Sequence, residues 1–271
     1  MTDVDAEELR FSSKGSAGAM KRASLLMVIA LSLALSQGCG GGGSGGGESS
    51  LYPDLPTRAQ FQANRSDRFL VDVQYVDAGN PFKGRRANTP HQGAHVHWDN
   101  TSNVWPAGGT APSNYPAIYA VADGYIDRID YSFPVGSNDR YGIDIAYARE
   151  GSTIYRFSYS IEPMVPEPST DFYKQFILVS QGQHVMKGDI IAYMYLPPGA
   201  GIGSHIHFHV KPSNSDLFLA PAVFTEAVVD AFFARWGIFA NDGATPMPSC
   251  MGYMLDADEN PYGNVQVDVL K

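Results

Sequence analysis

Between residues 203 and 210 the chain alternates without a slip. Ile206, Phe208 and Val210 fall on one face of an extended segment, and His205, His207 and His209 fall on the other. The apolar face suits burial, which leaves a row of imidazoles on the opposite side. Weaker alternations predict further strands: a first one from Phe69 to Val76, then Tyr141–Tyr147, Thr153–Ile161, Phe176–Ser180 and Ile190–Tyr195. Ile118–Ala122 and Tyr125–Asp130 flank Asp123-Gly124, a strong turn signal, and together predict a hairpin. Many short strands punctuated by Gly and Pro predict an all-β protein, an antiparallel β-sandwich or barrel. Residues 78–114, rich in Gly, Pro, Asn and Thr, are expected to be mostly loop. Helical spacing is confined to Pro221–Trp236, where Val223, Phe224, Ala227, Val228, Ala231 and Phe232 share a face and predict a C-terminal helix packed on the sheet.

Composition changes this picture only at the N-terminus. In 271 residues, 44% hydrophobic content supports a packed core, and a net charge of -9 argues against non-specific nucleic-acid binding. Met20-Lys21-Arg22, the apolar run Ala23–Ser36 and Gly38-Cys39 have the order of a secretory signal, so residues 1–38 are expected to be a signal region with translation starting at Met20. The run is too short for a permanent membrane span, which needs about 20 residues. Cys39 stands where a lipoprotein cysteine would be acylated, although Ser36 departs from the usual aliphatic residue. A Gly/Ser tether fills 39–50. These features predict an exported chain, lipid-anchored in the bacterial envelope and facing the periplasm. An ordinary cleaved signal is the alternative. Cys39 and Cys250 are the two cysteines, too few for a disulfide framework.

Six of the seven histidines fall into two clusters, His91, His95 and His97 with Asp99 close behind, and His205, His207 and His209. Imidazole is the commonest protein ligand for zinc, so two stretches distant in sequence are expected to assemble one metal site. His184 lies in a turn-like segment and reads as surface decoration, and Glu162 and Glu167 read as solvated acids. Trp98, Trp105 and Tyr115 suit either a substrate groove or loop anchoring.

Three segments carry a family resemblance across residues 85–212. Tyr119-Ala120-Val121-Ala122-Asp123-Gly124, the run Gln181–Ala192 with Gly182, Val185, Gly188 and Asp189, and Ser204-His205-Ile206-His207-Phe208 resemble, in order and spacing, motifs of the lysostaphin/LytM-type zinc endopeptidases. The resemblance implies a duplicated hybrid-motif fold over 51–215, with 216–271 as a helical extension. It also implies Zn2+, and cleavage of peptidoglycan peptide crosslinks. Carried over, the ligands are His95, Asp99 and His207, with His205 the general base that activates water.

Two departures keep alternatives open. The family has Gly inside His-x-Gly-x-Asp where this chain has His97, and on a regular strand His95 and Asp99 would lie about 13 Å apart. The earlier frame, His91 to His95, keeps the glycine (Gly93) and makes His91 an alternative ligand. The family's third histidine falls at Tyr159 or Ser160, so Tyr159 is the expected oxyanion donor. His97 and His209 are expected behind the ligands as support. The runner-up function is a catalytically impaired module that holds wall peptide stems, or that binds a cell-wall hydrolase or divisome partner. A metal-free structural domain comes third.

Overall fold

In the computed structural model, described residues are 52–80, 94–98, 111–135, 138–164, 171–196, 203–214 and 218–235. The chain divides into Met1–Glu48 and Ser49–Lys271, and every described residue belongs to the second unit. The signal region, the tether with Cys39, and 236–271 lie outside the described residues.

The architecture is all-β and antiparallel. Among the described residues, seven strands form the main sheet: β1 (Ala78–Asn80), β2 (Ala94–His97), β4 (Gly124–Val135), β5 (Asn138–Glu150), β6 (Thr153–Glu162), β7 (His184–Val185) and β9 (His205–Pro212). They are hydrogen-bonded in the order β1-β2-β9-β6-β5-β4-β7. A second sheet pairs β3 (Ala117–Tyr119) with β8 (Ile190–Tyr193). The histidine strand β9 therefore lies inside the large sheet, between β2 and β6, with both edges paired. One consequence is a fixed register, because a one-residue slip would turn its apolar row outward.

The inner face of the large sheet is continuous. Val96 pairs with Ile206, Tyr159 with Phe208, Ile143 with Tyr159, and Ile145 with Phe157. All five of Val96, Ile206, Phe208, Phe157 and Ile145 are fully buried. Phe69, Phe224 and Phe232 close over this face, with ring centroids 4.8 Å apart for Phe69–Phe232 and 5.7 Å for Phe69–Phe208. The segment carrying Phe69 is not the expected first strand. Phe69, Leu70 and Val71 are consecutive and all at most 3% exposed, so its alternation sorts nothing into core and solvent, and Val73–Tyr75 turns as a 3-10 helix.

Other expectations also shift. Ile118–Ala122 and Tyr125–Asp130 do not form a hairpin, since β3 pairs with β8 while β4 pairs with β5 and β7. The intervening turn is clasped from outside instead: Ala120 N–H donates to Asp189 O (2.9 Å), Gly188 N–H to Ala120 O (2.8 Å) and Lys187 N–H to Asp123 Oδ1 (2.7 Å). Phe172–Phe176 is a 3-10 helix, and only a bridge from Ile177 to Ala192 remains of the strand expected at 176–180. The C-terminal helix is shorter than its apolar pattern, α2 covering Glu226–Phe233. Its expected first turn is spent on Ser66, whose N–H donates to Val223 O and whose carbonyl accepts Thr225 N–H, both at 2.8 Å. A short helix, α1 (Arg58–Ala63), opens the described chain with a capping box between Thr57 and Gln60. Among the described residues no helix is long and apolar enough to cross a membrane.

Candidate metal centre

Residues 94–97, expected in a loop, form a strand, and its register decides the site. Ala94 pairs with Phe208, His95 with His207, Val96 with Ile206 and His97 with His205. Directly opposed residues in an antiparallel pair share a face. The same register that buries Val96 against Ile206 therefore brings four imidazoles together on the other face. His95 and His207 have ring centroids 3.8 Å apart, His205 and His207 4.6 Å, and His97 and His205 4.9 Å. One ring nitrogen each from His95, His205 and His207 lies within 4.8 Å of the other two, close enough for one metal ion. His97 stacks on His95 at 5.7 Å.

The entrance to β9 holds this strand in place. Ser204 Oγ donates to Pro163 O at 2.6 Å, and Ser204 O accepts Trp98 N–H at 3.2 Å. His205 Nδ1 lies 2.6 Å from Gly203 O, a carbonyl that can only accept, so Nδ1 carries a proton and donates it there. His205 Nε2 faces His207 Nε2 at 2.8 Å. Such a separation between two imidazole nitrogens requires a proton or a cation between them.

A carboxylate joins the cluster from β6. Ser158, Ser160 and Glu162 lie opposite His209, His207 and His205 respectively. Glu162 is 3% exposed, with Oε1 3.3 Å from His207 Nε2 and Oε2 3.5 Å from His205 Nε2. Arg140 Nη1 donates to Oε1 at 2.6 Å and Ser160 Oγ to the same oxygen at 3.2 Å. Burial alone would raise this carboxyl, but the hydrogen bond and charge of His207, the charge of His205 and the Arg140 bond outweigh it and bring it down to about 2. Glu162 is thus not the solvated acid expected. Its signal was the same period-2 pattern that exposed the histidines, since Ser158, Ser160 and Glu162 alternate with Phe157, Tyr159 and Ile161.

The remaining candidates divide clearly. Tyr159 is not available as an oxyanion donor: it points into the core with Phe208, and its hydroxyl donates to Tyr119 O and accepts Val121 N–H, both at 3.0 Å. His205, expected only as a base, belongs to the donor cluster itself. His209 lies one step along the row, 7% exposed and stacked on Phe218 at 3.8 Å, and burial pushes its imidazole down to about 3. Trp98 and Tyr115 are core residues, at 0% and 5% exposed. His184 is exposed and meets Tyr125 edge-on. Asp99, His91, Trp105 and Glu167 lie outside the described residues.

The donor set fits a divalent cation. Three imidazoles converge beside one buried carboxylate, a donor set of the kind that divalent transition metals take. No protein-family model matches the chain, and no curated protein matches it.

Proposed function

We propose that the chain is a zinc-dependent endopeptidase of the lysostaphin/LytM type, exported and lipid-anchored through Cys39, that cuts peptide crosslinks of peptidoglycan. The observation that carries this reading is the opposition of His95 and His207 across β2 and β9, with a ring nitrogen of His205 within 4.8 Å of theirs. It is supported by the three sequence segments that resemble the family, two of which flank one clasped turn at Asp123 and Lys187. The remaining assignments of that family, a hybrid-motif sandwich among them, come with the same reading.

His95 and His207 would hold the ion. A zinc ion there supplies a Lewis acid that polarises a carbonyl and lowers the pKa of water to about 7. His205 would take a proton from water at Nε2 when that nitrogen is unprotonated, while Nδ1–H donates to Gly203 O and fixes the ring. The buried inner face beneath holds β2, β9 and β6 in register, so the groups meet without reorganisation.

The second reading, a binding or adaptor module for wall peptides or a partner hydrolase, is favoured by one observation. Tyr159 is turned into the core, and Ser160, which occupies the site face opposite His207, donates to Glu162. Incubating the zinc-loaded full chain with purified peptidoglycan and identifying released fragments by mass separates the two. Crosslinked peptides disappear if the chain is the hydrolase, and His205→Ala stops this. Binding without release supports the adaptor.

A further inference from the structure

We propose that Lys211 is a substrate-recognition residue, pairing with a carboxylate of the peptide bound across the histidine face of β9. The inference rests on the reading that this face receives a peptide, and it concerns which chemical class of peptide fits. Lys211 continues the row of His205, His207 and His209 on the same face of the strand. It stands four residues beyond His207, about 13 Å along the strand. The lysine side chain shortens that reach. At about 3.3 Å per residue of an extended peptide, the carboxylate read there lies about two to four residues from the bond cut.

Three observations carry the assignment. First, Lys211 lacks a counter-ion. Of the other described lysines, Lys174 pairs with Asp171 at 2.6 Å and Lys187 with Asp67 at 2.5 Å, whereas Lys211 has no ion pair among the described residues. Second, its neighbour across the ladder sharpens the need. Lys211 lies directly opposite Arg156 on β6, and like charges so opposed destabilise a sheet. Arg156 is relieved by Asp127, to which its Nε donates, and the nearby Arg128 by Asp130 at 2.8 Å. Asp144 feels the charge of Lys211, yet it is 8% exposed and accepts the Ser158 hydroxyl, so it stays in the floor. Third, the ammonium is held in place. Lys211 is half-buried with Nζ 6.0 Å from the centre of the Phe218 ring, and Phe218 stacks on His209 at 3.8 Å. The lysine stem thus runs beside the aromatic that covers His209, and its charge stays on the histidine face of the sheet. An incoming carboxylate completes this cation, whereas a substrate ammonium would be repelled by Lys211 and Arg156 together.

The test is peptide binding to the metal-stripped full-length protein, where metal-dependent cleavage does not intervene. A crosslinked muropeptide is titrated calorimetrically in four forms: carboxyl groups free, amidated at the C-terminus, amidated at the side chains, or amidated at both. Wild type is expected to lose about 5-fold or more in affinity when the carboxylate it reads is amidated. The two single amidations show which carboxyl group that is. Lys211→Gln should bind the free and amidated forms alike, and Lys211→Arg should restore the preference. Equal affinity of wild type for all four peptides, or binding of none, would overturn the role of Lys211. Cleavage of the same peptides by the zinc-loaded protein is scored separately. Preference without cleavage keeps Lys211 and removes the hydrolase; cleavage without preference does the reverse.

Discussion

His95 sits directly across the β2–β9 ladder from His207, their rings 3.8 Å apart, and this pairing turns two remote stretches of chain into one site. Neither residue can leave the pairing alone. Shifting β2 by one residue would bring Val96 onto the histidine face and expose its buried contact with Ile206. The core and the site are therefore specified by the same register.

Metal binding should stabilise the fold accordingly. A ligand at 100 times its dissociation constant adds about 2.7 kcal/mol, which for a domain of this size raises Tm by about 5–11 °C. Zinc is expected to produce a shift of that order, and His207→Ala to abolish it. Differential scanning fluorimetry with and without a chelator checks this; an equal shift in wild type and variant would place the ion elsewhere.

His205→Ala separates binding from chemistry. With His95 and His207 intact the variant should still take up the metal, while peptidoglycan cleavage falls by about 10²–10⁴-fold, the usual contribution of a general base. Loss of metal together with activity would make His205 a ligand instead. The readout is metal content by mass spectrometry set beside the release rate of muropeptides.

Much of this arrangement was legible in the residues, and the exceptions have physical causes. The period of two in β9 and β6 was clear because each strand has one apolar and one polar face, and both appear as predicted with β5 between β6 and β4. Phe69–Val71 misled because it is buried on all sides, so alternation carried no information. β2 was missed because its four residues sit in a stretch rich in Gly, Pro, Asn and Thr, and it depends on its long-range partner β9. Glu162 was overlooked for a different reason. The period of two puts it on a face with Ser158 and Ser160, but which residues that face meets is set by the register opposite His205.

Tyr159 offers a direct check on side-chain orientation. Tyr159→Phe removes a hydroxyl that bonds Val121 N–H and Tyr119 O in the core. The buried amide of Val121 is left unsatisfied, at a cost of about 1–3 kcal/mol. Denaturant unfolding should show that loss, while cleavage per folded molecule stays unchanged. A stable variant with poor turnover would contradict the inward orientation.

Gly124 begins β4 where the backbone of β5 passes very close. An added Cβ would lie 2.1 Å from Ala146 O, an atom of the sheet ladder that cannot swing aside. Gly124→Ala should destabilise by at least about 3 kcal/mol, the upper part of the range for overpacking. A change under about 1 kcal/mol in urea unfolding would show that β4 and β5 can separate at this end.

Asp144 provides a pH signature away from the metal. It lies opposite Ser158, whose hydroxyl donates to it, and burial raises its carboxyl above the ordinary range, more than the Ser158 bond and the nearby Lys211, Arg128 and Arg156 lower it. Because the folded state holds this proton more tightly than the unfolded chain, the contribution to stability is fully present below about pH 3.9 and is lost as pH rises through the raised folded value. Asp144→Asn keeps an acceptor for Ser158 without the charge. Unfolding of metal-free wild type and variant across that range should therefore diverge, with the variant gaining relative stability as pH rises toward neutrality. Parallel curves would mean that Asp144 ionises as easily in the fold as in the open chain.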